Sequence, residues 1–64
     1  MLIANKDLLI IKDYKEIKIM NSKQIIVTMD NYSFKVNGED LRMIYYDRYE
    51  IRISGKIKVI CYGL

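Results

Sequence analysis

Apolar and polar residues alternate along most of this 64-residue chain, and no segment sustains the 3.6-residue period of a helix. A two-residue period sends alternate side chains to opposite faces of a sheet, so one face is apolar and the other polar. The chain also has no proline and is rich in isoleucine, valine and tyrosine, which favour strands. The pattern therefore predicts an all-β fold.

The apolar positions also test which strands pair, because residues directly opposite each other in an antiparallel pair share a face. A three-residue loop at 21–23 and a two-residue loop at 30–31 both keep one face apolar. The predicted partners are Ile19 with Ile25 and Ile17 with Val27 around the first loop, and Met29 with Tyr32, Val27 with Phe34 and Ile25 with Val36 around the second.

The two internal glycines mark different features. Gly38 lies where the apolar positions change from even to odd numbers, so we predict a reversal at 37–40 with Gly38 in a type II′ turn. At Gly55 the apolar positions stay odd. Two alternatives therefore remain there: a three-residue loop, or one long strand from Tyr49 to Tyr62 that bends at Gly55.

The remaining predicted partners follow from two connections. The reversal at Gly38 places Val36 with Leu41, Phe34 with Met43 and Tyr32 with Tyr45, and a three-residue loop at 46–48 places Met43 with Ile51, Leu41 with Ile53 and Tyr45 with Tyr49. The result is a single domain over residues 1–64: an antiparallel meander of about six or seven short strands, curled into a small sandwich or barrel. A first strand is expected at 8–11, and residues 1–7 are expected to be frayed. The predicted core is Ile17, Ile19, Ile25, Val27, Met29, Phe34, Val36, Leu41, Met43, Ile51, Ile53, Ile57 and Val59.

No group of residues has the composition of a catalytic or metal site. Histidine is absent and the single cysteine, Cys61, falls on the core parity, where a buried thiol is expected. We therefore predict no catalytic residues, metal, cofactor or small-molecule substrate. The net charge of +3 is spread along the chain, and no secretion signal or membrane-spanning segment is evident. We expect a soluble, cytoplasmic protein.

Protein association is the interaction that the pattern favours, because a chain of this size buries a small core and a small sheet has open edges. We therefore expect a homo-oligomer. On the reverse face, a second apolar stripe is the candidate surface for a second copy or another protein; the alternative is that its residues are scattered over the back of a curled sheet. The candidate residues are Ile26, Ile44, Tyr46, Ile60 and Tyr62.

Single-stranded nucleic acid is the alternative partner, because small β-barrels bind it through stacked aromatic residues and basic grooves. Tyr32, Tyr45 and Tyr49 share the core parity, which leaves Tyr14, Tyr46 and Tyr62 for such a platform. No cluster of lysine and arginine accompanies them in the sequence, so this partner is the less favoured.

Three segments resemble the YabP/YqfC family of bacterial sporulation proteins. They are Asp13-Tyr14-Lys15-Glu16-Ile17, then Val36-Asn37-Gly38-Glu39-Asp40-Leu41-Arg42-Met43, then Ile51-Arg52-Ile53-Ser54-Gly55-Lys56-Ile57-Lys58-Val59-Ile60-Cys61-Tyr62. The resemblance spans residues 8–62 and implies a non-enzymatic protein of spore development or coat assembly, made in the mother cell. It also implies a membrane-protein partner and peripheral attachment at the forespore envelope. It brings no catalytic residue.

Overall fold

The computed structural model describes residues 1–63, and those residues form six β-strands and no helix. The strands are β1 (Leu2–Ala4), β2 (Leu8–Lys12), β3 (Glu16–Met20), β4 (Gln24–Thr28), β5 (Ser33–Tyr46) and β6 (Glu50–Gly63). Their order across the sheet is β1-β2-β6-β5-β4-β3, and every neighbouring pair is antiparallel. The predicted all-β antiparallel architecture is confirmed.

The two long strands, β5 and β6, bend sharply near their middles. Each has 14 residues, and a straight strand of that length would span about 45 Å. The longest dimension of the molecule is 27 Å. The bend lies where the β5–β6 register shifts, at residues 38–41 of β5 and 54–57 of β6. We call these residues the glycine bend.

The glycine bend divides the sheet into two half-sheets. The first consists of β1, β2 and residues 42–46 and 50–54; the second consists of β3, β4 and residues 33–37 and 57–63. Their apolar faces contribute to one buried cluster, as in a small sandwich. The core is Leu9, Ile11, Ile25, Val27, Met29, Phe34, Val36, Leu41, Ile51 and Ile53.

The core differs from the predicted one in β2 and β3. Leu9 and Ile11 are fully buried, but the continuous apolar run in β2 has no alternation from which their facing can be read. Ile19 was expected in the core, opposite Ile25, and this prediction was wrong. A bulge after Ile17 places Ile19 opposite Ile26 on the outer face, and Met20 takes the position opposite Ile25.

The hairpin around residues 30–31 has the predicted register. Val27 lies opposite Phe34 and Ile25 lies opposite Val36. The Met29 N–H donates to the Tyr32 carbonyl oxygen at 2.7 Å, which closes the two-residue connection. The three-residue connection at 21–23 and the pair of Ile17 with Val27 are also confirmed.

The predicted reversal at Gly38 is wrong, because β5 runs unbroken from Ser33 to Tyr46. Extra residues in a bulge switch the facing of a strand just as a reversal does, so the parity change did not discriminate between them. The partners predicted from the reversal and from the loop at 46–48 change accordingly: Phe34 lies opposite Tyr62, Val36 opposite Ile60, Met43 opposite Ile53, Tyr45 opposite Arg52 and Tyr46 opposite Ile51. The connection between β5 and β6 spans residues 47–49, so the predicted loop at 46–48 was wrong by one residue: Tyr46 is still in β5, opposite Ile51.

Gly55 lies in one long bent strand, the second of the two alternatives. Its φ of 133° is in the region that favours glycine. The register shifts on β5 also change which β6 residues face the core. Ile60 and Tyr62 face inward, and Val59 and Cys61 face outward. The expectations of a buried Val59 and a buried Cys61 were therefore wrong.

Residues 1–7 were expected to be frayed, whereas in the structure they include β1, which pairs with β2. Ile3 lies opposite Ile10 in β1. The Met1 carbonyl oxygen accepts the Lys12 N–H at 2.7 Å. The Asn5 side chain closes the connection to β2, because its Oδ1 accepts the N–H groups of Asp7 and Leu8 at 2.9 and 2.8 Å.

A tyrosine-rich end as the candidate interaction site

The strand connections are sorted between the two ends of the sandwich. Those at 5–7 and 21–23 adjoin the glycine bend, where the Lys6 and Lys23 carbonyl oxygens accept the Ile57 and Gly38 N–H groups at 3.0 Å. Those at 13–15, 29–32 and 47–49 lie at the other end. All six tyrosines are in or beside these connections or at the end of β6. We call this the tyrosine end: Tyr14, Tyr32, Tyr45, Tyr46, Tyr49 and Tyr62.

The connection at 13–15 joins the two half-sheets at the tyrosine end. The Asp13 N–H donates to the Tyr49 carbonyl oxygen at 2.7 Å, and the Lys15 N–H donates to the Thr28 carbonyl oxygen at 2.8 Å. Between them, the half-buried Tyr14 donates its hydroxyl to the Asp47 carbonyl oxygen at 2.6 Å. Burial raises the pKa of Tyr14, and the neighbouring Tyr46 hydroxyl acts in the same direction.

Asp47 organises the connection between β5 and β6. Its Oδ1 accepts the Tyr49 and Glu50 N–H groups at 2.7 and 2.8 Å, and its Oδ2 accepts the Tyr45 hydroxyl at 2.6 Å. These three donors, the Tyr45 hydroxyl first, stabilise the carboxylate and lower the pKa of Asp47. The same hydrogen bond raises the pKa of Tyr45.

Two arginines pack on the tyrosines of this connection. The Arg48 guanidinium lies 5.2 Å from the centre of the Tyr49 ring, and the Arg52 guanidinium lies 4.8 Å from that of Tyr45. Arg52 also forms an ion pair with Glu50. Such contacts hold the rings in place while leaving them in solvent: Tyr45 is 43% exposed and Tyr49 is 63% exposed. The expectation that these two rings lie in the core was wrong.

A second aromatic group occupies the other half-sheet at this end. Phe34 is buried and its ring meets Tyr32 and Tyr62 edge to face, with centroids 5.2 and 4.9 Å apart. Tyr62 faces the core side but extends past it, so that it is 73% exposed. An open apolar pocket of about 360 Å³ lies beside these rings, lined by Asn31, Tyr32, Tyr62 and Gly63.

The structure does not bring the five predicted surface residues onto one face. Tyr46 and Tyr62 are exposed at the tyrosine end. Ile44 is exposed nearby, at a second register shift of β5 that lies between Met43 and Tyr45. Ile26 is half-buried on the outer face of the second half-sheet, and Ile60 is half-buried against the core. Tyr45 and Tyr49 were missed as surface residues. Their proximity to the turn residue Asp47 and to two arginines was the available sequence signal.

Charges at the tyrosine end have both signs. Lys15 and Asp30 form an exposed ion pair at 3.0 Å, and Arg52 pairs with Glu50. At the opposite end, Lys58 donates to Glu39 at 2.7 Å, which lowers the pKa of that carboxyl group. Among residues 1–63, no cluster of three or more potential metal ligands occurs. Within the same residues, no helix has the length and apolar character needed to cross a membrane.

Comparison with models of known protein families, with curated proteins and with solved structures found no match for this chain.

Proposed function

We propose that this chain is a non-enzymatic protein-interaction module of bacterial sporulation, which self-associates and takes part in spore development or coat assembly. The tyrosine end is the observation that supports an interaction role. Tyrosine and arginine are enriched at the centres of protein interfaces, where their large side chains become fully buried. The resemblance to the YabP/YqfC sporulation proteins supports the biological setting.

The mixed charge of the tyrosine end favours a protein partner over a polyanion. Acidic and basic side chains both occur at this end, and two of the basic ones are already paired with Asp30 and Glu50. A nucleic-acid groove needs a continuous path of cations to neutralise phosphates. A protein surface with its own scattered charges suits this end better.

A genetic test uses the bacterium that encodes the chain. Deleting the gene should lower the yield of heat-resistant spores, and the unaltered gene should restore it. A Tyr46→Ala plus Tyr49→Ala variant should fail to restore it, whereas Val59→Ala, an exposed change on the outer face of the second half-sheet, should succeed. Normal spores after deletion would overturn the sporulation role, and full rescue by the double variant would overturn the role of these tyrosines.

Fluorescence microscopy of a tagged chain tests the proposed location. We expect expression in the mother cell, either throughout its cytoplasm or as a shell around the forespore through a membrane-protein partner. Signal confined to the forespore interior, or present only in vegetative cells, would contradict this placement.

Binding of single-stranded nucleic acid is the second candidate, favoured by the exposure of Tyr46 and Tyr62, which are 62% and 73% exposed. Such a role requires that oligonucleotide affinity, measured by fluorescence anisotropy, weakens as salt rises and is lost on Tyr46→Ala or Tyr62→Ala. Under the protein-interaction proposal, we expect no such binding at physiological salt.

A further inference from the structure

The two edges of the sheet differ in how they resist pairing with another strand. The β3 edge contains a bulge between Ile17 and Ile19, and it carries the charged residues Glu16 and Lys18, which form an ion pair at 3.5 Å. Bulges and charges of this kind block strand addition at an edge. By contrast, β1 (Leu2–Ala4) contains no charged side chain and pairs with β2 without a register shift.

The hydrogen bonds to β2 establish which backbone groups β1 leaves at its open edge. Met1 and Lys12 exchange two hydrogen bonds, at 2.8 and 2.7 Å, and the Asn5 N–H donates to the Leu8 carbonyl oxygen at 2.9 Å. Residues in an antiparallel pair alternate between bonded and non-bonded positions. Met1, Ile3 and Asn5 therefore bond to β2, and the N–H and C=O groups of Leu2 and Ala4 point away from it.

These four outward groups match those of a second copy. When two β1 strands are set antiparallel with Ile3 on a twofold axis, Leu2 of each copy lies opposite Ala4 of the other. Both pairs are then in the bonded position, so all four outward groups of each strand are satisfied by four hydrogen bonds. A shift of the register by two residues pairs either Leu2 with Leu2 or Ala4 with Ala4 of the second copy. In each case the other of these two residues lies outside the β1–β1 pair, so fewer of the outward groups are satisfied.

The side chains are also compatible with this register. Ile3 is 45% exposed on the outer face, beside Ile10 of β2. On the twofold axis it would contact the Ile3 of the second copy in the closely spaced non-bonded position, extending the Ile3 and Ile10 row across the interface. Leu2 and Ala4 would extend the core face in the same way, and no like charges oppose each other within the paired segment.

We propose that two copies of this chain associate by antiparallel pairing of their β1 strands, with Ile3 at the twofold axis. The inference names the surface for the self-association in the proposed function and does not depend on the sporulation role. The interface is small, so dimerisation is expected in the upper part of a concentration series from about 10 µM to about 1 mM.

Sedimentation velocity over that series provides the first test. The unaltered chain should shift from monomer to dimer, and Ile3→Lys, which sets two like charges against each other at the axis, should remain monomeric. Ile19→Lys places the same charge on the outer face at the β3 edge and should still dimerise. Far-UV circular dichroism checks that each variant retains its strands.

A cysteine pair provides a test independent of the charge change. The close approach of non-bonded partners on an antiparallel axis suits a disulfide. Under mild oxidation, Ile3→Cys in a Cys61→Ser background should form a covalent dimer, and Ile19→Cys in that background should form markedly less.

Two contrary outcomes would distinguish a wrong interface from the absence of self-association. A chain that stays monomeric throughout the series would overturn both the β1 interface and self-association. A dimer that persists in Ile3→Lys and is lost in Ile19→Lys would overturn the β1 interface alone and move the contact to β3. Neither result would alter the spore phenotype expected on deleting the gene.

Discussion

Gly38 and Gly55 permit the two long strands to approach each other closely at the glycine bend. A Cβ on Gly55 would lie 2.6 Å from the Asp40 carbonyl oxygen, at a φ that other residues rarely adopt. A Cβ on Gly38 would overlap the Lys56 carbonyl oxygen. In both cases the obstacle is backbone, which cannot move aside as a flexible side chain can. The bend therefore requires glycine at both positions.

Alanine at Gly55 should destabilise the fold by about 1 to 3 kcal/mol, the usual range for a strained backbone position. Chemical denaturation with urea measures the change. Gly63→Ala is the matched control, because its Cβ would meet only the Ser33 hydroxyl at 3.0 Å. Equal stability of the two variants would contradict a close approach at Gly55.

Asp47 makes the stability of the β5–β6 connection depend on pH. Its carboxylate accepts three hydrogen bonds and its pKa is lowered in the folded state. The contribution is therefore present above the pKa of the unfolded chain and is lost as the pH falls through the lowered folded value. Glu39, whose pKa Lys58 lowers, contributes in the same direction.

Replacing Asp47 with asparagine should reduce the loss of stability on acidification. Asparagine keeps an oxygen that accepts the Tyr49 and Glu50 N–H groups but does not titrate. Urea midpoints measured from pH 7 to below pH 4 should fall less for Asp47→Asn than for the unaltered chain. Parallel curves would show that this carboxylate does not couple folding to pH.

At the scale of elements, the apolar pattern predicted the β-strands and the register of the hairpin around residues 30–31. It did not predict that β5 continues past Gly38. The two-residue connection at 30–31 was predictable because its register is undisturbed on both sides. The bulges in β3 and β5 were not predictable. An extra residue in a strand and a reversal of the chain both change whether even-numbered or odd-numbered residues face the core, so the sequence pattern does not distinguish them. The facing of β2 was also not predictable, because its run is apolar on both faces.

The predicted apolar stripe on the reverse face was chosen from the same alternation, so an error in the facing of a strand also moves the residues of the stripe. Once β5 continues past Gly38, Ile60 and Tyr62 face the core side, and the predicted stripe separates. The tyrosine end arises from connections that are distant in sequence, such as 13–15 and 47–49. These two connections meet because β2, which precedes the first, pairs with β6, which follows the second. The apolar pattern of a short segment carries no information about such a long-range pairing.

Ile11 in β2 should be more sensitive to a lost methylene than Ile19 in β3. Ile11 is fully buried between the half-sheets, whereas Ile19 is 39% exposed. We expect Ile11→Val to cost about 0.5 to 1.5 kcal/mol, and Ile19→Val to change stability by about 0.5 kcal/mol or less. Thermal or urea unfolding of the two variants compares them directly, and the reverse order would contradict the placement of β2.

At the scale of the molecule, a 64-residue chain closes its core by folding one sheet over itself. The bend places Gly38 and Gly55 at one end and the six tyrosines at the other, and it leaves β1 and β3 as edges. Each functional proposal relies on that arrangement, because the pairing of β2 with β6 and of β5 with β6 sets which connections share the tyrosine end and which strands remain at the edges.

Nuclear Overhauser contacts from the Lys35 backbone test this arrangement most directly. Lys35 lies opposite Cys61 in the structure, with Ile26 on its other side, so a cross-strand backbone contact between Lys35 and Cys61 is expected. A reversal at Gly38 would place Lys35 opposite Arg42 instead. Observation of the contact with Arg42, and none with Cys61, would contradict the bent-strand fold and the surfaces derived from it.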